Sequence, residues 1–301
     1  MVRERIEGEG GVDVLRRCVA DPDVRGAVGD MLGELGIWEI DISEGPIELE
    51  VAAEVCRAAG RYALPYPVVE RLGATGADAT ALVSARGQAI ANHRDLDLTW
   101  NALDLEGSRY DLPSGRRLPS ATKLAPFGSE VDPVPRGDKA VRGAARLVLL
   151  QGWWLLGLLE NAIEDTARYT EEREQFGRKL VRFQSVAFQL ADMVLESEGS
   201  SELAKYALWS ITNSADDDDA LAEALGLRVA LQRAAGVVLR GAHQLHGAMG
   251  FTDEVDVSWL SRASQAVRRL PEDSQRTTGA FLSAVERAGY SELGHIATAS
   301  R

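Results

Sequence analysis

From Lys139 to Ala288 apolar residues recur at helical spacing with few interruptions. Phe183, Val186, Ala187, Leu190 and Val194 fall on one stripe at i, i+3, i+4, i+7 and i+11. Short polar breaks divide the region into four long helical segments, roughly 139–174, 182–212, 219–247 and 257–288. Long helices with short connections predict an antiparallel four-helix bundle over residues 137–301. The chain up to residue 72 has a shorter texture. Val12 to Leu35 mixes apolar and charged residues at helical spacing, Gly36 interrupts it, and Glu48 to Arg61 forms another amphipathic segment. Pro65 and Pro67 mark the end of this N-terminal helical domain. Residues 73–136 carry short β-like pieces, Thr80 to Ala85 and Leu96 to Gly107, with turn residues between them. Pro113 to Pro135 holds five of the ten prolines, so it reads as loop or edge strand. The predicted fold class is mainly α with a small β middle domain.

Composition narrows the function. The 301 residues, 45% of them hydrophobic, suffice for about two domains with a sizeable core. No apolar run reaches the roughly 18–20 residues that a membrane span needs. The best candidate, Leu147 to Leu159, is interrupted by Gln151 and Gly152. The opening MVRERIEGEGG is charged and has no apolar h-region, so no signal peptide is expected. Cys18 and Cys56 form neither a metal spacing nor a disulfide framework, which fits a reducing cytoplasm. A net charge of −13 argues against nucleic acid or anionic membrane as partner. Asp216 to Asp219 reads as a solvated loop, because contiguous carboxylates repel rather than converge on one ion. His243 and His246 stand at i,i+3 without a His-Glu-x-x-His pattern, so no metal site is expected.

One stretch breaks the helical pattern in an informative way. In EREQFGRKLVRFQSVAFQLADM, Glu172 to Met193, the helix stops for Arg173, Gln175, Phe176 and Gly177 and then resumes. Singly, these residues have a plain reading: a cation at a helix C-terminus, a core aromatic and a glycine cap. A second block, QLHGAMGFTDE, runs from Gln244 to Glu254 at another boundary between bundle helices. Arg-x-Gln-Phe-Gly, followed by Phe-Gln and Leu-Ala-Asp-Met, resembles the acyl-CoA dehydrogenases. The second block is similar to that family's Gln-x-x-Gly-Gly-x-Gly-Phe, with Ala248 standing where the family has glycine. LGELGIWEIDI and AAGRYALPYPVVE are looser echoes of its helical domain, and the middle domain resembles it least.

The resemblance implies an acyl-CoA dehydrogenase-like fold and FAD bound across a subunit interface. Its cofactor-binding positions are Arg173, Gln175, Phe176, Gln184, Gln244, Gly247 and Ala248. Arg173 offers a permanently charged fork for pyrophosphate oxygens. Phe176 offers a flat apolar face, and Gly177 lets the backbone approach a ligand closely. Gln244 would face the adenosine end, where Gly247 and Ala248 leave room. Trp153 and Trp154 are expected in the core or at a subunit interface, and the bundle face around them is expected to be exposed in the isolated chain.

The family's reaction is α,β-dehydrogenation of an acyl-CoA thioester: a carboxylate takes the α-proton and the β-hydrogen leaves as hydride. Its usual glutamate lies nine residues after an arginine that resembles Arg262, in a segment ending Ser-Gln like Ser274 and Gln275. That register puts Pro271 at the glutamate position, removing both the carboxylate and the backbone N–H that would polarise the thioester carbonyl. Glu272, one place later, is the weak candidate. An alternative family position on the first bundle helix falls near Leu147, with no carboxylate close by. The family's Thr-Glu-Pro and Gly-Ser-Asp segments have no counterpart in the middle region. The chain thus resembles the short non-catalytic subunit of heteromeric bacterial acyl-CoA dehydrogenases. That implies a hetero-oligomer, a heterotetramer by resemblance, with a second dehydrogenase subunit, acting in steroid or fatty acid catabolism. Acyl-CoA is the implied substrate and electron-transfer flavoprotein or a similar protein the implied acceptor. The alternatives are an active homo-oligomer using Glu272 and a flavin-free structural subunit.

Overall fold

Backbone punctuation sets the N-terminal region. The computed structural model describes residues 1–85, 89–113, 116–117 and 126–289. Parts of the Pro113–Pro135 loop reading, and His295, lie outside them. Five helices come first: α1 (Val2–Gly8), α2 (Asp13–Ala20), α3 (Arg25–Glu34), α4 (Pro46–Arg61) and α5 (Val68–Leu72). Pro46 opens α4 at a position where a missing N–H costs nothing. The continuous Val12–Leu35 pattern is two helices rather than one. A 3₁₀ turn at Pro22–Val24 divides it, and Gly36, at φ 71°, turns the chain after α3.

Among its described residues the middle region holds seven strands: β1 (Ala79–Leu82), β2 (Ala89–Asn92), β3 (Trp100–Leu103), β4 (Ser108–Asp111), β5 (Arg116–Arg117), β6 (Gly128–Val131) and β7 (Val134–Lys139). They form one sheet in the order β1-β3-β4-β7 and another in the order β2-β6-β5. β1 and β3 pair in parallel, and the remaining pairs are antiparallel. Small side chains fill much of their core: Ala79, Ala81, Ala89, Ala91 and Ala102 pack beside Trp100 and Val131.

The C-terminal half is built around α6 (Val141–Glu172). A hairpin of β8 (Glu174–Gln175) and β9 (Arg178–Lys179) leads to α7 (Gln184–Asn213). There follow α8 (Asp217–His246), α9 (Asp256–Arg269) and α10 (Ser274–Ala288). The Leu147–Leu159 stretch is buried on every side because α4, α7, α8 and α9 surround it. That is why it reads as a nearly continuous apolar run without being a membrane helix. Among the described residues, no helix is long and apolar enough to cross a membrane. Against α4 the approach is backbone to backbone. A Cβ on Gly60 would overlap the Trp154 carbonyl, and one on Gly157 would overlap the Arg57 carbonyl. The Arg57–Glu160 ion pair at 2.7 Å and the Asn161 Nδ2 donation to the Arg61 carbonyl at 2.7 Å flank this crossing.

Three expectations change. The fourth predicted segment, 257–288, is two helices, α9 and α10. Pro271 has no N–H for a helix, and its ring pushes Leu270 to φ −109° and ψ 144°, where α9 stops. Asp273 then caps α10, its side chain accepting from the Arg276 N–H at 3.0 Å. The stripe from Phe183 to Val194 is only partly buried on α7, where Val186 and Leu190 pack against the core. The buried line of the helix is Met193, Ser197, Ser200, Ala204, Ala207 and Ile211, while Ala187 and Val194 are exposed. Finally, Trp153 and Trp154 are core residues, 3% and 8% exposed, so no open face surrounds them. The open apolar surface lies instead on α7, at Phe188, Leu195 and Trp209, with 61%, 70% and 59% exposure.

Candidate cofactor and active site

The two sequence blocks meet at one end of the bundle, where α6 and α8 finish and α7 begins. Arg173 ends α6 in an extended conformation, its N–H donating to the Tyr169 carbonyl at 2.9 Å. Its carbonyl accepts from the Leu180 N–H at 2.9 Å, closing the base of the β8–β9 hairpin. Phe176 and Gly177 form the tip, at φ 53° and 76°. Two successive left-handed residues between antiparallel strands suit a two-residue hairpin, in which glycine is at home and phenylalanine is not. Phe176 is 90% exposed. Below the tip, Phe183 meets Phe176 edge-on at 6.2 Å, and the Arg178 guanidinium lies 3.9 Å from the Phe183 ring. The Arg173 side chain is exposed and forms no ion pair or hydrogen bond among the described residues, so the helix-cation reading finds no contact here. Gln175 and Gln184 are exposed as well. Gln184 opens a 30-residue helix whose N-cap, Phe183, supplies no side-chain acceptor. Its first N–H groups therefore face outward with the positive end of the helix dipole.

The second block closes α8. Gly247 sits at φ 59° and ψ −136°, a conformation essentially reserved for glycine, and turns the chain into the 3₁₀ segment Gly247–Phe251. Gln244, Gly247 and Ala248 are exposed, whereas Gly250 is buried. Phe251 lies open and stacks on His243 at 5.0 Å. The blocks are joined beneath the surface by His246. Its ring stacks on Tyr169 at 4.3 Å, its Nε2 is 3.7 Å from Asp165, and its Nδ1 lies 2.9 Å from the Ala242 carbonyl. His243 and His246 thus serve different contacts. The result is an open shelf with a cation lacking a counter-ion, two exposed aromatic faces, three free carboxamides and a helix N-terminus. Such a donor set suits an extended anionic ligand with flat ring systems.

The α9–α10 loop is a tight, filled structure. Pro271 is buried. Ser84 Oγ donates to Glu272 Oε1 at 2.6 Å, and Arg276 Nη1 lies 3.1 Å from Glu272 Oε2. Arg228, buried in α8, donates through Nη2 to the Leu270 carbonyl at 2.6 Å and through Nη1 to Gln151 Oε1 at 2.9 Å. Burial pulls its guanidinium down to about 10, since no carboxylate touches it directly. Gln232 Nε2 and Thr277 Oγ1 add weaker donations to the Glu272 carbonyl. Both oxygens of the Glu272 carboxylate are therefore occupied by donors within the chain. Leu147, at the alternative position, is fully buried among apolar neighbours. Arg262 pairs with Asp253 at 2.6 Å and stacks on Trp259 at 4.3 Å. Sequence reasoning missed Arg228 and Ser84, whose roles depend on long-range placement and carry no local pattern.

Comparison with known proteins bears on the fold. Residues 145–270 match the family model described as acyl-CoA dehydrogenase, C-terminal domain. Acyl-CoA dehydrogenase FadE28 of Mycobacterium tuberculosis is 28% identical over 270 residues, covering 83% of this chain and 78% of that protein. The (2S)-methylsuccinyl-CoA dehydrogenase of Cereibacter sphaeroides is 35% identical over 105 residues, but these span 34% of this chain and 18% of its own length. Among solved structures, a variant of the Tcur3481-Tcur3483 steroid ACAD superposes with a TM-score of 0.74 at 17% identity, covering 96% of both chains. The ChsE4-ChsE5 complex from Mycobacterium tuberculosis superposes at 0.65 with 16% identity, covering 97% of this chain and 95% of that one. The chain therefore has the acyl-CoA dehydrogenase fold, and residues 145–270 resemble that family's C-terminal domain in sequence as well.

Proposed function

We propose that this chain is a non-catalytic subunit of a heteromeric acyl-CoA dehydrogenase, and that its hairpin shelf completes the FAD site of a second subunit. The observation that carries the reading is the hairpin tip: Phe176 is 90% exposed with only an edge contact to Phe183, and Arg173 has no ion pair or hydrogen bond among the described residues. An unpaired cation and an uncovered aromatic ring on a rigid turn are worth little to the isolated chain. They suit a ligand presented by another surface. The shelf residues fit FAD. Arg173 and the α7 N-terminus would hold the pyrophosphate, Phe176 would cover a ring face, and Gln244 with the Gly247–Ala248 backbone would receive the adenosine end. Bound flavin would supply the hydride acceptor for dehydrogenation of the acyl thioester. This chain's own share is to bind and orient it. It offers no free carboxylate at the α9–α10 loop, and Pro271 offers no N–H there for the thioester carbonyl.

The exposed α7 face supports a partner. Phe188, Leu195 and Trp209 form an apolar surface on a helix that its own bundle leaves uncovered. The two-protein complex among the structural neighbours supports a second dehydrogenase subunit, and the steroid ACAD and FadE28 support a role in steroid or other lipid catabolism. Electron-transfer flavoprotein or a similar protein is the proposed acceptor, and the cytoplasm the proposed compartment. The test is co-expression with a full-length acyl-CoA dehydrogenase subunit, followed by flavin absorbance per assembled complex. Arg173→Ala should weaken flavin retention by about 1.5–3 kcal/mol, the range for hydrogen bonds to charged groups. Unchanged flavin content and affinity in the variant complex would refute the role of the shelf.

A further inference from the structure

Arg173 and Gly247 close different helices, α6 and α8, so one ligand can use both only where their separation is fixed. Backbone hydrogen bonds do not fix it. Arg173 bonds through its N–H and carbonyl to Tyr169 and Leu180, within its own helix end and hairpin. The Gly247 N–H donates to the Gln244 carbonyl, within α8. Side chains beneath the surface join the two ends instead. One turn before Arg173, the Tyr169 ring lies 4.3 Å from the His246 ring, with 21° between their planes. The Tyr169 hydroxyl donates to the His246 carbonyl at 3.5 Å, immediately before Gly247. One turn further back on α6, Asp165 Oδ2 stands 3.7 Å from His246 Nε2. Asp165, Tyr169 and Arg173 thus fall at i, i+4 and i+8, on one line of the helix.

His246 is held on each side. It is 3% exposed. Its Nδ1, 2.9 Å from the Ala242 carbonyl, carries a hydrogen, because a carbonyl only accepts. That bond sets the ring plane, with Nε2 towards Asp165 and one face on Tyr169. Asp165 also accepts from Arg168 on α6 and faces Asp256 of α9. Burial pushes the Asp165 carboxyl up, so little water competes with His246 for it.

We infer that Asp165, Tyr169 and His246 are positioning residues: they lock the last turn of α6 to the last turn of α8 and preset the distance between the Arg173 hairpin and the Gly247 turn for a dinucleotide. The inference rests on the subunit reading for the identity of that ligand, whereas the clasp itself is a property of the free chain. All three residues lie beneath the exposed shelf and act through Arg173 and Gly247. A shelf with preset spacing binds without first ordering its parts. Without the clasp it loses about ten- to a hundredfold in affinity, the cost of ordering two or so loose elements on binding.

The test uses the complex with a full-length acyl-CoA dehydrogenase subunit and, separately, the free chain. His246→Phe keeps a ring against Tyr169 and removes both ring N–H positions; His246→Gln keeps a donor on the Asp165 side. The flavin dissociation constant, read from the fluorescence of released flavin, should rise at least about tenfold in His246→Phe and stay within about threefold in His246→Gln. The losses in His246→Phe and Arg173→Ala should not add, because a ring that works by placing Arg173 has nothing left to place in the double variant. In the free chain, hydrogen exchange at the Arg173 and Leu180 amides should quicken at least about tenfold in His246→Phe, while amides in the middle of α6 keep their protection. Unchanged flavin affinity in His246→Phe, equal losses in His246→Phe and His246→Gln, additive losses with Arg173→Ala, or unchanged exchange at the hairpin would each overturn the inference. If Arg173→Ala leaves flavin binding intact, the subunit reading fails, and exchange at Arg173 and Leu180 alone decides the clasp. Should His246→Phe not fold, Asp165→Asn, which leaves the ring stack in place, carries the same readouts and the same outcomes.

Discussion

Replacing Glu272 by glutamine separates a structural carboxylate from a catalytic base. The structure gives the size of the structural effect. The ion pair to Arg276 is lost, but Arg276 is largely exposed, so that loss is about 0–1 kcal/mol. The Ser84 donation changes from charge-assisted to neutral, a further loss of about 1 kcal/mol. The Glu272 carbonyl keeps its bonds from Gln232 and Thr277. The sum is about 1–2 kcal/mol of local stability, visible as a fall of a few degrees in the first unfolding transition. Turnover of the assembled complex, assayed with an acyl-CoA and an artificial electron acceptor, should remain within about twofold. If Glu272 took the α-proton, removing it would cost about 10²–10⁴-fold. The same substitution at the partner's catalytic glutamate is the positive control. A loss of about a hundredfold or more in the Glu272→Gln complex, with flavin content intact, would sink the non-catalytic assignment. It would also mean that the Ser84 and Arg276 contacts release the carboxylate during turnover.

Two further outcomes follow from surface and charge. Leu195→Asp places a charge on the exposed face of α7; in co-expression it should shift this chain from complex to free form by light scattering. The free chain's melting temperature should stay within the equivalent of about 0.5 kcal/mol, and a complex that persists would rule this face out as the interface. Glu70 gives a pH signature. Its folded value of about 7 stands above the ordinary 4.5, so between those values the folded state holds more protons than the unfolded one. Stability therefore falls as pH rises through that window, by at most about 3 kcal/mol, and levels off above it. His93 works in the opposite direction below its ordinary 6.5, because the unfolded ring binds the proton that the folded one resists. Denaturant unfolding of wild type and Glu70→Gln from pH 4.5 to 8 isolates the Glu70 contribution as a difference. Parallel curves would show that Glu70 is hydrated.

The long helices were legible because their cause is local. A 3.6-residue period, Pro46 at a helix start and an all-apolar α6 record the burial each segment needs, whatever packs against it. The Arg173–Gly177 interruption was legible for the same reason, since a glycine shortly after a helix end marks a turn locally, whereas the left-handed Phe176 was not. The loop at Pro271 was half legible. Proline's effect on its own backbone is local, and yet the sequence pattern ran straight through it, so 257–288 read as one helix where the chain makes two. The face of α7 that is buried was hidden. Its inner line is serine and alanine, chosen for close packing against α8, as where Gly241 leaves room for Met193. Some of its apolar residues, Val186 and Leu190 among them, pack against the core, whereas Phe188, Leu195 and Trp209 point away from it. Trp153 and Trp154 are in the core as expected, but the face around them is closed, since α4 crosses it at Gly60 and Gly157 beside the other helices that surround α6. Ser84 reaching Glu272, Arg228 reaching Leu270 and the burial of the Glu70 carboxyl are decided by segments far apart in the chain. Their chemistry depends on the distance between atoms and on the water excluded around them, and neither quantity exists until the helices have packed.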